Sequence, residues 1–86
     1  MRTIYKYPVP HIDRWSAFRL EMPSGALFRR FDQQGEDLFI WLEVDTIGEP
    51  AIRTYCIVGT GHSIPLYAEY RGTCFAGPFV WHLYEL

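Results

Sequence analysis

Hydrophobic and polar residues alternate with a period of two along most of the chain, and turns rich in glycine and proline interrupt the alternation at short intervals. This combination is typical of antiparallel β proteins, whereas helical periodicity is scarce. It predicts an all-β fold, a compact antiparallel sandwich or rolled sheet of about six or seven short strands. The pattern predicts a single β domain over residues 1–86, with neither an internal repeat nor a linker.

The clearest strands are predicted at the start of the chain and around Gly35. A strand at 2–7 stops at a proline-rich segment, which favours the edge of a sheet. The arms 26–31 and 37–44 flank a loop with Gly35 and form a predicted hairpin. The unbroken apolar run 38–42 predicts a central strand covered on both faces, by a second sheet or another subunit. Further extended runs are predicted at 15–20, 51–58, 67–76 and 79–86, with turns at 22–26, 45–50 and 77–78.

Composition narrows the classes of partner. Hydrophobic residues make up 49% of the chain and aromatic residues 17%, which excludes the polar composition of disordered proteins. A formal net charge of -2 without blocks of like charge offers no field for DNA or RNA, so polymeric nucleic acid is not an expected partner. No apolar run reaches the length of a signal peptide or membrane span, which predicts a cytoplasmic protein without a membrane partner. Cys56 and Cys74 are interpreted as buried free thiols.

The segment Gly59-Thr60-Gly61-His62-Ser63-Ile64-Pro65, named here the glycine loop, follows a predicted strand. Its glycines permit backbone conformations closed to other residues and let a ligand approach main-chain N–H groups, while Pro65 stiffens the chain. The loop lacks the lysine of a P-loop and the third glycine of a dinucleotide fingerprint. Two interpretations therefore stay open, an anion-binding loop and a tight structural turn.

Candidate catalytic and metal-binding side chains are weakly supported. His11, His62 and His82 are irregularly spaced, which disfavours a metal site. Adjacent His62 and Ser63 do not reach the mutual geometry of a catalytic triad. We therefore predict no enzyme activity and no metal or cofactor. His82 is interpreted as a partly buried polar residue bonded to its neighbours.

Arginines and aromatic residues allow either a structural or a binding role. Arg29 and Arg30 point to opposite faces of one strand, so one of them needs a partner on an apolar side. Ion pairing with Glu43 or Asp45 across the hairpin is one interpretation, and an anion-binding fork is the other. The same two interpretations apply to Arg53 and Arg71. Rings that could stack on a base are Tyr5, Tyr7, Tyr55, Tyr67, Tyr70, Trp81 and Tyr84.

Three segments together carry a family resemblance: Thr3-Ile4-Tyr5-Lys6-Tyr7-Pro8, the glycine loop, and Phe79-Val80-Trp81-His82-Leu83-Tyr84-Glu85. In this order they resemble a family of small tailed-phage proteins of unknown function, and the turn at 22–26 is similar to the family's turn before a strand. Ser63 departs from the commoner form, in which a proline is frequent. The resemblance implies a phage gene product in the host bacterial cytoplasm that counters host defence. Some such proteins form oligomers that sequester cyclic or ADP-ribose-derived immune signals without cleaving them.

The function we predict is non-catalytic binding of a small anionic nucleotide signal by a homo-oligomer. Gly59, Thr60, Gly61 and His62 are the candidate contacts to phosphate or ribose. Tyr5, Lys6 and Trp81 are candidate neighbours if the two terminal strands pair. Two alternatives are a protein-binding inhibitor of a host defence enzyme, acting through an aromatic surface and an exposed edge strand, and a virion or assembly accessory protein.

Overall fold

A computed structural model describes residues 1–11 and 17–86 of the protein. These residues form seven antiparallel strands in two sheets, and no helix. The strands are β1 (Arg2–Pro8), β2 (Ala17–Pro23), β3 (Leu27–Gln34), β4 (Asp37–Asp45), β5 (Pro50–Gly59), β6 (Glu69–Ala76) and β7 (Phe79–Glu85). Within the described ranges there is no helix long and apolar enough to cross a membrane.

The strands form a three-stranded sheet, in the order β1-β4-β3, and a four-stranded sheet, in the order β2-β5-β7-β6. The two sheets pack against each other without closing into a barrel, so the prediction of an all-β sandwich is confirmed. Edge strand β1, central strand β4 and the β3–β4 hairpin are confirmed as well. Residues 15 and 16 of the predicted run 15–20 lie outside the described residues.

The β3–β4 turn is tighter than the sequence pattern indicates. Strand β3 continues to Gln34 and β4 begins at Asp37, so Gly35 and Glu36 alone connect them. Gly35 has a positive φ of 64°, a conformation that two-residue hairpin turns require and that glycine adopts at little cost. Polar residues at 32–34 thus belong to a strand and not to a loop.

The core lies between the two sheets and is built by alternate residues of each strand. Ile40 and Leu42 of β4, Tyr55 of β5 and Leu83 of β7 are all completely buried. The opposite face of β4 carries Phe39 and Trp41, which are only half-buried, and Trp41 contacts Phe39 at 6.0 Å between ring centroids. Within the protomer the second sheet covers only one face of β4, and cover of the aromatic face by another subunit stays a prediction.

An internal repeat is present, contrary to the sequence-based expectation. Strands β1, β4 and β3 have the same pairing register as β5, β7 and β6. Each set has a β-bulge, at Arg29 in β3 and at Arg71 in β6, and a glycine of positive φ in its hairpin turn. Within the paired strands and the hairpin turns, identical residues stand at five equivalent places: Arg2 and Arg53, Thr3 and Thr54, Arg29 and Arg71, Gly35 and Gly77, and Glu43 and Glu85. Strand β2 is the additional strand of the larger sheet.

The two copies of the repeat face in opposite senses. Ile40 points into the core, whereas the equivalent residue of β7, His82, points to the outer face of the larger sheet. Conversely, Glu43 lies on the outer face of its sheet and Glu85 lies on the inner face. The same hairpin design therefore serves two different environments.

Candidate functional site

The glycine loop begins where β5 ends. The N–H of His62 donates to the carbonyl of Gly59 over 3.0 Å, which closes a tight turn around Thr60 and Gly61. Gly61 has a positive φ of 88°, and a Cβ at this position would meet nothing within 4 Å. Glycine is thus required here by backbone conformation and not by crowding.

The loop lies against the outer face of the larger sheet and bounds a cleft of about 240 Å³, named here the loop cleft. Ile64 forms its roof, and Val58 is buried although its side chain points away from the core. The floor is formed by β7. The lining residues are Val58, Gly59, Thr60, Gly61, His62, Ile64, His82 and Tyr84.

A chain of polar side chains crosses the floor of the loop cleft. His82 contacts the Thr60 hydroxyl through Nε2 at 3.1 Å and the Thr73 hydroxyl through Nδ1 at 3.0 Å. The Thr73 hydroxyl also lies 2.6 Å from that of Tyr70. One ring nitrogen donates and the other accepts, so the two threonines hold the imidazole in one orientation. The interpretation of His82 as a partly buried, hydrogen-bonded residue is confirmed.

Gly59 lies between the side chain of His62 in the glycine loop and the indole ring of Trp81. A Cβ at Gly59 would lie 3.2 Å from Nδ1 of His62 and 3.4 Å from Cζ3 of Trp81. The imidazole and the indole therefore both reach the space that a side chain at this position would fill. Three predicted site residues, Gly59, His62 and Trp81, are brought together by this contact.

Tyr5 and Lys6 do not join this group. The terminal strands do not pair, because β1 pairs with β4 whereas β7 pairs with β5 and β6. Lys6 donates to the Gln34 amide oxygen over 2.9 Å, and its ammonium lies 4.6 Å from the centroid of the Phe39 ring. Tyr5 packs edge to face with Tyr7. Both predicted site residues belong to the smaller sheet.

The arginines of the two hairpins are engaged by carboxylates. Arg29 pairs with Glu43, as one interpretation of the sequence predicted, whereas Arg30 pairs with Asp32 on its own strand. Arg53 and Arg71 both pair with Glu85. Within the described part of the chain, no arginine or lysine lines the loop cleft. An anion there would depend on main-chain N–H groups, hydroxyls and imidazoles.

A second cavity of about 340 Å³ lies at the end of the sandwich where the β3–β4 and β6–β7 turns meet, and is named here the end cleft. Val9, Leu38 and Ile57 form its apolar floor, and Trp81 and Phe79 form one wall. The two rings stack at 5.3 Å between centroids and 19° between planes. The described residues at its rim are Pro10, His11, Gln33, Glu36, Asp37 and Ala76.

The described residues form neither a metal-binding cluster nor a reactive thiol site. No group of three or more metal-binding side chains comes together among residues 1–11 and 17–86. Cys56 and Cys74 are free and buried, and burial raises the pKa of both thiols. A raised pKa keeps a thiol protonated and unreactive at neutral pH.

The whole chain, residues 1–86, matches the protein-domain family DUF7352, described as a domain of unknown function. The chain belongs to this family. No curated protein and no solved structure gives a significant match to it. Membership of a family of unknown function is thus confirmed. The phage origin and the role against host defence stay predictions. DUF7352 membership assigns no activity to the chain.

Sequence reasoning located the glycine loop but missed the floor of its cleft. Val58, Ile64, His82 and Tyr84 were not among the predicted site residues. The alternation in β7 does place His82 and Tyr84 on one face, and this was the available signal. That the glycine loop folds across this face depends on long-range packing, which the local pattern does not report.

Proposed function

We propose that the protein is a non-catalytic binder of a small nucleotide-like anion, held in the loop cleft. One observation carries this proposal. The loop bounds a cleft that Gly61 lines, and the N–H group of Gly61 has no hydrogen-bond acceptor among the described residues. Unused main-chain donors beside an open cleft are suited to phosphate oxygens.

The remaining walls suit a flat ring. Tyr84 offers an aromatic side chain, while Val58 and Ile64 offer apolar contact. Stacking of a base on an aromatic ring contributes about 1–3 kcal/mol. With about 240 Å³, the cleft is smaller than the roughly 300 Å³ at which drug-sized ligand pockets begin. It therefore accommodates one ring with its phosphate, and a dinucleotide would extend beyond it toward a second protomer.

The hydrogen bonding of His82 supports binding over catalysis. A general base must be within hydrogen-bond reach of a substrate proton. Both ring nitrogens of His82 are already engaged by the hydroxyls of Thr60 and Thr73. The histidine thus positions the floor of the cleft and leaves recognition to the loop.

The resemblance to small tailed-phage proteins supports a role in an infected bacterium. There, a homo-oligomeric binder in the host cytoplasm would withdraw a nucleotide immune signal without cleaving it. Because the arginines are paired with carboxylates, the ligand would be bound by few hydrogen-bond donors of the glycine loop. Selectivity for the ligand would then depend on the shape of this loop.

Calorimetric titration with a panel of cyclic dinucleotides and cyclic ADP-ribose isomers tests the proposal. Gly61→Val should abolish binding, because a β-branched residue cannot keep the loop conformation. Gly25→Val is the matched control, since Gly25 also has a positive φ, of 79°, with nothing within 4 Å, but lies in the β2–β3 turn. Both variants should lose comparable stability, and only Gly61→Val should lose binding. His62→Ala should weaken binding by about 1–3 kcal/mol.

The proposal fails if no member of the panel releases heat or raises the melting temperature. It also fails if Gly25→Val and Gly61→Val reduce binding equally. Either result would leave the glycine loop as a structural turn.

A protein-binding inhibitor of a host defence enzyme is the second candidate, favoured by the surface beyond the loop. Leu66, Tyr67 and Phe75 are all largely exposed, and Tyr67 is 95% accessible. Tyr67 also has a positive φ of 63°, in a place where the other copy of the repeat has Gly25. An exposed aromatic residue held in this conformation carries strain without a packing reason. A Tyr67→Gly variant that keeps ligand binding but loses its effect in infected cells would select this function.

A further inference from the structure

We propose that the end cleft is a second binding site, which takes a small cation carrying a flat apolar ring, such as an aromatic amine. This inference is independent of the proposed function, because it concerns different walls and the opposite ligand charge. Four features support this site: the volume of the cleft, the stacked rings of Phe79 and Trp81, the carboxylates at the rim and the internal repeat.

The interior of the end cleft is apolar and open. Its volume of about 340 Å³ lies within the range of small-molecule sites, at roughly 300–1,000 Å³. Phe79 is 55% exposed although its strand alternation directs it to the inner face, which means that the sandwich is open at this end. The stacked pair of Phe79 and Trp81 offers a flat ring a surface of matching shape.

The rim of the end cleft is acidic. Glu36 and Asp37 both line it, and among the described residues His11 contacts Asp37, with its Nε2 2.9 Å from Oδ1 of the carboxylate. His11 is 87% exposed, so this contact is weakly held and can be displaced by a ligand cation. Trp is also the best side chain for a cation–π contact. The charges of the described rim residues therefore favour a cation over an anion.

The repeat supplies an internal precedent for a cation at this place. Trp81 is the equivalent of Phe39, whose ring faces the ammonium of Lys6 at 4.6 Å. By register, the equivalent of Lys6 in the larger sheet is Ile57, which lines the end cleft. The aromatic surface that meets a lysine in one copy thus meets an apolar cavity in the other. The ammonium group of a bound ligand would occupy the place over Trp81 that corresponds to the position of the Lys6 ammonium over Phe39.

An NMR titration with tryptamine tests the site, with indole-3-propionate as a probe of similar ring and opposite charge. The readout is the indole N–H resonance of Trp81, assigned by its disappearance in Trp81→Phe. We expect tryptamine to shift this resonance saturably and indole-3-propionate to bind more weakly. Neutralising the rim with Glu36→Gln and Asp37→Asn together should weaken tryptamine binding about three- to tenfold, the scale of two exposed ion pairs.

Glu21→Gln with Glu49→Gln is the matched control, since it removes the same charge from exposed positions outside the cleft. It should leave tryptamine binding unchanged. The proposal is overturned if tryptamine does not shift the Trp81 resonance, if both probes bind equally, or if the rim and control variants behave alike. Melting curves confirm that each variant is folded, which is expected because all four carboxylates are exposed.

Discussion

The β3–β4 and β6–β7 hairpins share one design and use it in opposite environments. In each, a glutamate of the second strand lies 14 residues after an arginine placed by a β-bulge and pairs with it. A second arginine reaches the same glutamate from the neighbouring strand, Arg2 to Glu43 and Arg53 to Glu85. The local sequence pattern and register are thus preserved, and the surroundings differ.

The Glu43 cluster lies on the solvent-facing side of the smaller sheet. Arg2 and Arg29 are both at least half exposed, and each donates to one carboxylate oxygen. Hydrogen bonds from Arg2, which contribute most, and from Arg29 lower the pKa of Glu43. Exposed pairs of this kind are screened by water and salt, and contribute little to stability.

The Glu85 cluster lies between the sheets. Glu85 is only 12% exposed and accepts two hydrogen bonds from Arg53, at 2.7 and 2.8 Å, and one from Arg71 at 3.1 Å. Arg53 also donates to the carbonyl of Ala26 over 2.6 Å, which ties β5 to the β2–β3 turn. Removing one partner here would leave desolvated charges unpaired.

The strand register thus determines which residues form the ion pair, and the face of the sheet on which the pair lies determines how much it contributes to stability. The two clusters also limit the possible binding sites, because their arginines are paired with glutamates and are not available to bind an anion.

Glu85→Gln should be strongly destabilising. Arg53 would remain at a half-buried place without a carboxylate partner, and Arg71 would keep only its longer contact with Glu69, at 3.3 Å. Breaking a buried ion pair costs about 3 kcal/mol at the lower end of its range. Chemical denaturation of the variant, with the slope checked against that of the wild type, measures the loss of unfolding free energy. A loss no larger than that of a surface substitution would show that Glu85 is solvated in solution.

The contribution of Glu85 should also depend on pH. Burial alone would raise its pKa, but hydrogen bonds from Arg53 and Arg71 outweigh it and hold the pKa below the ordinary value of 4.5. A depressed pKa gives stability that is full above pH 4.5 and is lost as the pH falls through the folded-state pKa. The melting temperatures of wild type and Glu85→Gln should therefore converge in acid. A constant difference down to pH 3 would contradict the linkage.

Much of the fold follows from the sequence because strands leave a local signature. Alternation and turn residues place β3, β4, β6 and β7 within a few positions, and the apolar run of β4 identifies the centre of a sheet. The repeat was not detectable in this way. Equivalent residues such as Ile40 and His82 differ in polarity, because they face the core in one copy and the outside in the other.

The candidate site was predictable only in part, for a similar reason. Glycine spacing reports local conformation, so the position of the loop could be read directly. Which strands pair is a non-local property, and the expected approach of Tyr5 and Lys6 to Trp81 was wrong because β1 pairs with β4. The rim of the end cleft likewise combines residues of three separate segments, although its two carboxylates, Glu36 and Asp37, are adjacent in sequence.

Tyr55→Phe should change stability by less than Glu85→Gln and in the opposite direction. The Tyr55 hydroxyl is buried close to the Glu85 carboxylate, but no acceptor within the described ranges meets it with the geometry of a normal hydrogen bond. Burial raises its pKa to about 12, with the charge of Arg53 opposing and that of Glu85 adding to the shift. Removing an unsatisfied buried hydroxyl should stabilise the fold by about 1 kcal/mol.

Tyr70→Phe is the control for the Tyr55 substitution. The Tyr70 hydroxyl is exposed and lies 2.6 Å from that of Thr73, so its loss should be neutral or slightly destabilising. Thermal melts of both variants give the sign of each effect. A destabilised Tyr55→Phe would mean that this hydroxyl has a partner in solution, such as a bound water.

Glu43→Gln should have the smallest effect, although it breaks the equivalent cluster. Melting curves at low salt should show a small loss that disappears at high salt, because exposed charges are screened, whereas the loss in Glu85→Gln should persist. If Glu43→Gln proved as damaging as Glu85→Gln, the outer face of β4 would have to be covered in solution. Because Phe39 and Trp41 lie on that face, the covering surface would then be a second copy of the chain, as the oligomer prediction requires. Sedimentation of wild type and Glu43→Gln at micromolar concentration separates the two cases: monomers in both keep the face solvent-exposed, and an oligomer that dissociates in the variant places Glu43 at a subunit contact.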